Sequence, residues 1–169
     1  MEEIIQIYNK NREKLNKKII RNKDSFLPNE FALVVNVWII TKSKRIILTK
    51  RHPNKRWGNS FECTCGYAID QETTLETAVR EIQEEIGLTI KKENLILLNT
   101  NYFTNQIVDT YIYFIDKKVK DIELDENEIT KCIFVTFEQL VNMWESGKIS
   151  FPISLRLNSY IEKIYEFIK

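Results

Sequence analysis

The chain has 169 residues, 25 Lys and Arg against 24 Asp and Glu, and a formal net charge of +1. This length indicates one domain with a single core. The balanced charge gives no basic face for duplex binding and so excludes a nucleic-acid-binding module. No apolar run approaches the ~20 residues that a membrane span needs. The N-terminus lacks the order of a signal peptide and the three cysteines are an odd number, so we expect a cytoplasmic protein with reduced thiols.

The first third of the chain predicts strands. Glu3–Tyr8 and Leu15–Arg21 indicate a pair of short strands, which would form an N-terminal hairpin. Phe31–Thr41 is an apolar, β-branched run that is typical of a central strand. Arg45–Arg51 follows after a three-residue turn and is predicted to pair with it.

A helix is predicted to begin after Thr73, because Thr73 and Glu76 have the spacing of a capping box. The following apolar residues recur at helical spacing and would form one buried stripe: Leu75, Ala78, Val79, Ile82 and Ile86. Gly87 then fits the left-handed residue that ends a helix.

Three acidic residues share another face of this helix. Glu81, Glu84 and Glu85 lie about 120° around the axis from the apolar stripe, at 100° per residue. Like charges at these spacings destabilise an isolated helix by a few tenths of a kcal/mol per pair, and a solvated surface is their ordinary reading. A hard divalent cation reverses the sign, because carboxylate oxygens are the ligands that Mg²⁺ prefers.

A fixed pattern surrounds these glutamates. Gly66 is followed after five residues by Glu72, and after seven more residues by the sequence Arg80-Glu-Ile-Gln-Glu-Glu-Ile-Gly-Leu88. With every motif position filled, this segment resembles the Nudix box. The resemblance implies an enzyme of the MutT-like Nudix hydrolases. These cleave the diphosphate bond of a nucleoside diphosphate linked to another group, and they use Mg²⁺ or Mn²⁺.

The resemblance also implies roles within the box. Glu81, Glu84 and Glu85 would bind the metal together with the carbonyl of Gly66, where glycine lets the backbone approach closely. Glu84 and Glu85 are therefore expected among the catalytic residues. The other box residues would be structural: Glu72, Arg80, which would orient a neighbouring carboxylate, and Gly87.

The remaining chain predicts further strands and two helices. Leu95–Phe103 and Ile107–Ile115 indicate a hairpin, and Ile133–Thr136 a short strand. A helix is predicted over Phe137–Glu145, and one last amphipathic helix after Phe151-Pro152.

Strands with helices on both faces predict an α/β/α sandwich with a mixed sheet, which is the Nudix architecture. We expect a single domain over residues 1–169. It would comprise a hairpin extension over 1–28, a Nudix core over 29–150 and a C-terminal helix over 151–169.

Several residues outside the box are candidates for the site. In many Nudix enzymes an acidic residue of a later loop is an additional metal ligand or base. Glu128 is the first choice here for such a catalytic role, and Glu126 is the second. A solvated acidic turn is the alternative. The candidates for substrate binding lie upstream, in or beside a basic segment that usually borders the cleft: Arg51, Lys55, Trp57 and Glu62. For Arg51 and Lys55 the alternative is a basic solvated loop, and for Trp57 it is packing. Glu62 points to the site if Phe61–Cys65 is a strand, and its alternative is an acid on the strand surface.

Two other functions compete with hydrolysis. Cys65-Gly66 matches the catalytic cysteine of isopentenyl-diphosphate isomerases, but Tyr67 replaces their metal-binding histidine, and His52 is the only histidine. A buried cysteine that acts as a small hydrophobe is the alternative. A non-catalytic nucleotide sensor is the second competitor. The partner in either enzyme is a small molecule, and the family leaves a homodimer open, but no downstream signature selects one substrate.

Overall fold

In a computed structural model, which describes residues 2–116 and 122–169, the chain forms strands and helices in an order close to the predicted one. The strands are β1 (Ile4–Tyr8), β2 (Lys14–Ile20), β3 (Ala32–Thr41), β4 (Ile46–Arg51), β5 (Phe61–Glu62), β6 (Thr64–Tyr67), β7 (Ile96–Phe103), β8 (Gln106–Ile115) and β9 (Ile129–Val135). The helices are α1 (Thr74–Ile86), α2 (Phe137–Glu145), α3 (Phe151–Leu157) and α4 (Ile161–Ile168).

Strand β3 is the centre of a mixed seven-stranded sheet. It pairs in parallel with β8 and antiparallel with β4 and β6. Strands β5 and β9 add to β4, and β7 adds to β8. All ten residues of β3 are buried, as expected for an apolar, β-branched strand that is covered on both faces.

The two faces of the sheet are covered by different helices. On one face, Ala78, Ile82 and Ile86 of α1 pack against Val35 and Val37 of β3. On the other face, residues of α2, α3 and α4 form a second apolar cluster with the sheet, which includes Trp38, Leu140, Ile153, Leu157, Tyr160 and Ile164. The predicted α/β/α sandwich with a mixed sheet is therefore confirmed.

The predicted N-terminal hairpin is also confirmed, with β1 and β2 antiparallel. Backbone hydrogen bonds of the described residues join it to the core at two places along its length. Tyr8 and Phe31 exchange two backbone hydrogen bonds of 2.8 Å, and the Asp70 amide donates to the Ile4 carbonyl at 2.7 Å. The second contact joins the hairpin to the loop just before α1.

Three predicted elements differ from the observed ones. The prediction of a single C-terminal helix is wrong, because residues 158–160 separate α3 from α4. There the Ser159 hydroxyl donates to the Arg156 carbonyl at 2.7 Å, a local bond that competes with the helix. The predicted strand Phe61–Cys65 is interrupted at Cys63, which separates β5 from β6. The strand predicted from Ile133 begins earlier, at Ile129.

Within the described ranges, no helix combines the length and the apolar character that crossing a membrane requires.

Candidate active site

Local signals fix both ends of helix α1. Thr73 Oγ1 accepts from the Glu76 amide at 3.3 Å, and Glu76 Oε2 accepts from the Thr73 amide at 2.9 Å, which completes the predicted capping box. At the other end Gly87 has φ +67°, the left-handed conformation that glycine adopts without strain. The apolar stripe faces the sheet, so the rotation of α1 about its axis is fixed and the three glutamates emerge on another side.

Gly66 of β6 lies directly against Glu81 of α1. A Cβ atom added to Gly66 would lie 1.8 Å from Glu81 Oε1, much closer than two non-bonded heavy atoms can approach. Gly66 is in register with Val35, on the face of the sheet that α1 covers. Only a residue without a side chain therefore allows the strand backbone and this carboxylate to approach each other.

Arg80 connects the box residues to one another. Its Nε and Nη2 donate to the two carboxylate oxygens of Glu72 at 2.8 and 2.9 Å, and Nη2 also donates to the Tyr67 carbonyl at 2.9 Å. Nη1 donates to Glu81 at 2.8 Å and to Glu84 at 2.9 Å. This planar fork holds the loop before α1 and the first acidic turn of the site in one arrangement.

The carboxylates repel one another in this environment. Burial raises the pKa of Glu81 to about 7 although Arg80 opposes the shift, and Glu84 raises it further. Burial, followed by the charges of Glu62 and Glu81, raises the pKa of Glu85 well above its usual range. Among the residues that the structure describes, the buried Oε2 atom of Glu85 has no hydrogen-bond partner. A bound cation would stabilise the ionised forms of Glu81 and Glu85 and would give the unpaired oxygen a partner.

The same residues fit a hard metal ion by their chemistry. Glu81, Glu84 and Glu85 supply carboxylate oxygens, and the Gly66 backbone is in contact with the first of them. As they stand, no three acidic, histidine or cysteine side chains of the described residues are close enough together to hold an ion. Arg80 bonds to two of the glutamates in this arrangement, and the Glu84 side chain is 57% exposed and has room to turn.

Two substrate-binding candidates, Arg51 and Glu62, are brought to this site together. They form an ion pair, in which the Glu62 carboxylate is buried, and Arg51 Nε donates to the Arg56 carbonyl at 2.9 Å. Glu62 is among the charges that raise the pKa of Glu85, so the pair lies within electrostatic reach of the third box glutamate.

The acidic loop also reaches this region. The Asp125 amide donates to the Glu85 carbonyl at 3.3 Å, and the His52 amide donates to the Glu128 carbonyl at 2.8 Å. The Glu128 side chain is exposed and forms an ion pair with Lys55. The loop therefore joins the end of α1 to the basic segment.

Trp57 belongs to a partly exposed aromatic stack rather than to the core. The Arg56 guanidinium lies 4.3 Å from the centre of its ring, and the Phe151 ring stacks on it at 6.4 Å with an interplanar angle of 27°. Both aromatic rings keep exposed surface.

The residues of the isomerase-like pattern make packing and hydrogen-bond contacts of their own. Cys65 packs against the apolar cluster beneath α3, and burial raises the pKa of its thiol well above the usual value. The Tyr67 hydroxyl accepts a hydrogen bond from Gln106, and the ring packs against the N-terminal hairpin.

The sequence did not point to two hairpin residues that lie beside the box. Arg21 lies over the Tyr67 ring, 4.6 Å from its centre, and its Nη1 donates to Glu3 at 2.6 Å. The hairpin strands carried no local signal for this contact, because their partner lies more than 40 residues along the chain.

The chain is similar to known proteins in sequence and in fold. The family model of the NUDIX domain matches residues 30–154. An uncharacterized Nudix hydrolase of Listeria innocua is 31% identical over 144 residues, which cover 84% of this chain and 85% of the relative. A similar protein of Listeria monocytogenes is 30% identical over the same shares.

One solved structure extends the likeness to most of the chain. The crystal structure of the Deinococcus radiodurans protein DR0079 superposes with a TM-score of 0.77 at 18% identity, and covers 94% of this chain and 99% of that protein. This likeness concerns the fold alone. Together with the family model and the 31% identical relative, the filled box shows that the chain belongs to the Nudix hydrolase family.

Proposed function

We propose that the protein is a metal-dependent hydrolase that cleaves the diphosphate bond of a nucleoside diphosphate linked to another group, through attack of water at phosphorus. The observation that carries the proposal is the contact between Gly66 and Glu81. The Gly66 backbone meets one carboxylate and lies beside a second, Glu85, whose buried Oε2 has no partner among the described residues, and these oxygens support a site for a hard cation.

In this proposal the Gly66 carbonyl, Glu81, Glu84 and Glu85 hold Mg²⁺ or Mn²⁺. When bound, the ion supplies positive charge to the diphosphate and makes a coordinated water a stronger nucleophile. Arg80 has a positioning role, because its donors already hold Glu72, Glu81 and Glu84.

The proton of the attacking water needs an acceptor. We assign this role to Glu84, Glu85 or Glu128. The Glu128 side chain is exposed and forms an ion pair with Lys55. Its loop contacts the end of α1 through the hydrogen bond from the Asp125 amide to the Glu85 carbonyl. General-base catalysis contributes about 10²- to 10⁴-fold to rate. If Glu128 is the base, Glu128→Gln lowers kcat by at least tenfold, whereas Glu126→Gln, an exposed acid of the same loop, leaves it unchanged. A kcat within a few-fold of wild type in Glu128→Gln removes Glu128 from the mechanism.

The substrate would be held by residues upstream of the box. Arg51 and Lys55 offer cations for the phosphate oxygens, and Glu62 orients the Arg51 guanidinium. Trp57 keeps 37% of its surface exposed beside Arg56 and Phe151, and a nucleobase would extend this stack.

A substrate panel tests the proposal. Nucleoside di- and triphosphates, nucleotide sugars, ADP-ribose and dinucleoside polyphosphates are incubated with the protein, with and without Mg²⁺, and phosphate or pyrophosphate release is measured. We expect release from at least one class, dependent on the metal. A panel without metal-dependent release, together with tight nucleotide binding, would favour the sensor instead.

A further inference from the structure

The N-terminal hairpin, β1 and β2, lies outside the segment that matches the NUDIX family model, which begins at residue 30. Nevertheless it is fastened to the loop between Gly66 and α1. The Asp70 amide donates to the Ile4 carbonyl at 2.7 Å, and Lys18 forms an ion pair with Asp70. Fixed backbone contacts of this kind place the hairpin side chains reproducibly with respect to the box.

Tyr67 is the point where the hairpin and the box meet. Its carbonyl accepts from Arg80 at 2.9 Å, and its ring supports the Arg21 guanidinium at 4.6 Å. Its neighbour Gly66 is in contact with Glu81. Arg21 and the box carboxylates are therefore linked through two adjacent residues of β6.

The guanidinium of Arg21 is held in a fixed position on the hairpin side of the box. Its Nη1 donates to Glu3 at 2.6 Å, and its plane rests 4.6 Å from the centre of the Tyr67 ring. The carbonyl of the same tyrosine binds Arg80, which in turn donates to Glu81 and Glu84.

Arg21 uses fewer of its donors than Arg80 and Arg51 do. Arg80 donates to three carboxylates and a carbonyl, and Arg51 is paired with Glu62. Within the described residues, the one side-chain hydrogen bond of Arg21 runs from Nη1 to Glu3, whose side chain is 45% exposed. A guanidinium has five N–H donors, and stacking on an aromatic ring fixes its plane without using any of them.

We infer that the hairpin forms one wall of the active site, and that Arg21, held flat on Tyr67, binds an anionic oxygen of the phosphate chain on that side of the box. The inference rests on the proposed function, because the phosphate chain is that of the substrate. Glu3 holds the guanidinium in place when the site is empty and competes with the phosphate for it. Arg21 is accordingly a substrate-binding residue that the family core does not supply.

Binding of inorganic pyrophosphate to the magnesium-loaded full chain, measured by isothermal titration calorimetry, tests the inference. Arg21→Gln should weaken binding roughly tenfold, the size of one charge-assisted hydrogen bond. Lys23→Gln is the matched control, since Lys23 forms an exposed ion pair with Glu2 in the same hairpin. This control should bind as the wild type does.

Glu3→Gln separates binding from a structural role. If the ion pair only stabilises the hairpin, Glu3→Gln and Arg21→Gln lower the melting temperature and weaken binding alike. If Arg21 binds phosphate, Glu3→Gln binds pyrophosphate as tightly as the wild type or more tightly. Equal affinity of wild type and Arg21→Gln, equal losses in both variants, or no binding by the wild type overturns the inference. Failure of the proposed function is a separate result, namely absence of metal-dependent hydrolysis across the substrate panel.

Discussion

Oε1 of Glu81 occupies the space that a side chain on Gly66 would need, at 1.8 Å from the ideal Cβ position. The strand and the helix that carry these residues are both held by the core, so neither can retreat without disturbing buried packing. The position of the Glu81 carboxylate therefore depends on the absence of a Cβ atom at Gly66.

Gly66→Ala should displace Glu81 and lower kcat by about 100-fold, because a misplacement of about 1 Å near the reacting groups has that effect. The affinity for Mn²⁺, measured by titration, should fall as well. Gly147→Ala is the control, since a Cβ there would meet no atom within 4 Å, although its φ of +69° makes alanine slightly strained. Activity that survives in Gly66→Ala would show that Glu81 is not needed where it lies.

The Arg80–Glu72 pair predicts strong energetic coupling. Two parallel hydrogen bonds join the side chains, both of which are about four-fifths buried. Arg80→Lys cannot reproduce the fork, and Glu72→Gln removes its charge. A double-mutant cycle from denaturant unfolding should give an interaction free energy of about 1–3 kcal/mol. The exposed Lys169–Glu166 pair serves as comparison and should show no measurable coupling. Additive losses at Arg80 and Glu72 would contradict the arrangement.

Much of this site follows from local sequence. Thr73 with Glu76 predicted the start of α1, Gly87 predicted its end, and the spacing of the apolar residues predicted the face that it buries. These signals act within a few residues of one another, so they are readable without the fold.

Other features depend on distant partners. The apolar pattern continues through Tyr160 and gave no sign that the last helix is divided, because the break depends partly on Ser159, which also contacts Asn101 across the fold. The contacts of Arg21 with Tyr67 and of Arg12 with Asp109 join the hairpin to residues far along the chain. Such contacts are set by how the strands pack, and a single sequence carries no local trace of them.

Asp109 is predicted to contribute to stability in a pH-dependent manner. Burial alone would raise its pKa, but hydrogen bonds from Arg12, Thr100 and Thr74 hold the pKa below its usual range. This contribution is present above the unfolded pKa of about 4 and is lost as the pH falls toward the lower folded value.

Asp109→Asn should therefore lower the free energy of unfolding by about 2–3 kcal/mol at pH 7, because Arg12 loses its ionised partner. The difference from wild type should begin to shrink below the unfolded pKa of about 4, and it should vanish only below the lower folded pKa, where both proteins carry a neutral side chain. Chemical denaturation at pH 7 and pH 3 measures it. The exposed Asp116, changed to Asn, should show no such loss. A difference that persists unchanged at pH 3 would contradict the assignment.

Cys65 distinguishes hydrolysis from isomerisation. Its thiol packs among apolar side chains and is held in the neutral form by burial. Cys65→Ser should leave metal-dependent hydrolysis within a few-fold of wild type, as should Cys132→Ser on another strand. Loss of activity confined to Cys65→Ser would instead indicate the isomerase.

Glu85→Gln provides the most direct measurement of the central claim, that the box glutamates hold a metal ion that enables hydrolysis. The change removes the charge of a carboxylate whose buried Oε2 has no partner within residues 2–116 and 122–169. We predict a loss of kcat of roughly 100-fold or more and weaker Mn²⁺ binding, with a melting temperature no lower than that of wild type. Glu93→Gln, outside the site, should change neither activity nor metal binding. Undiminished turnover in Glu85→Gln, or in wild-type protein stripped of metal by a chelator, would contradict the account.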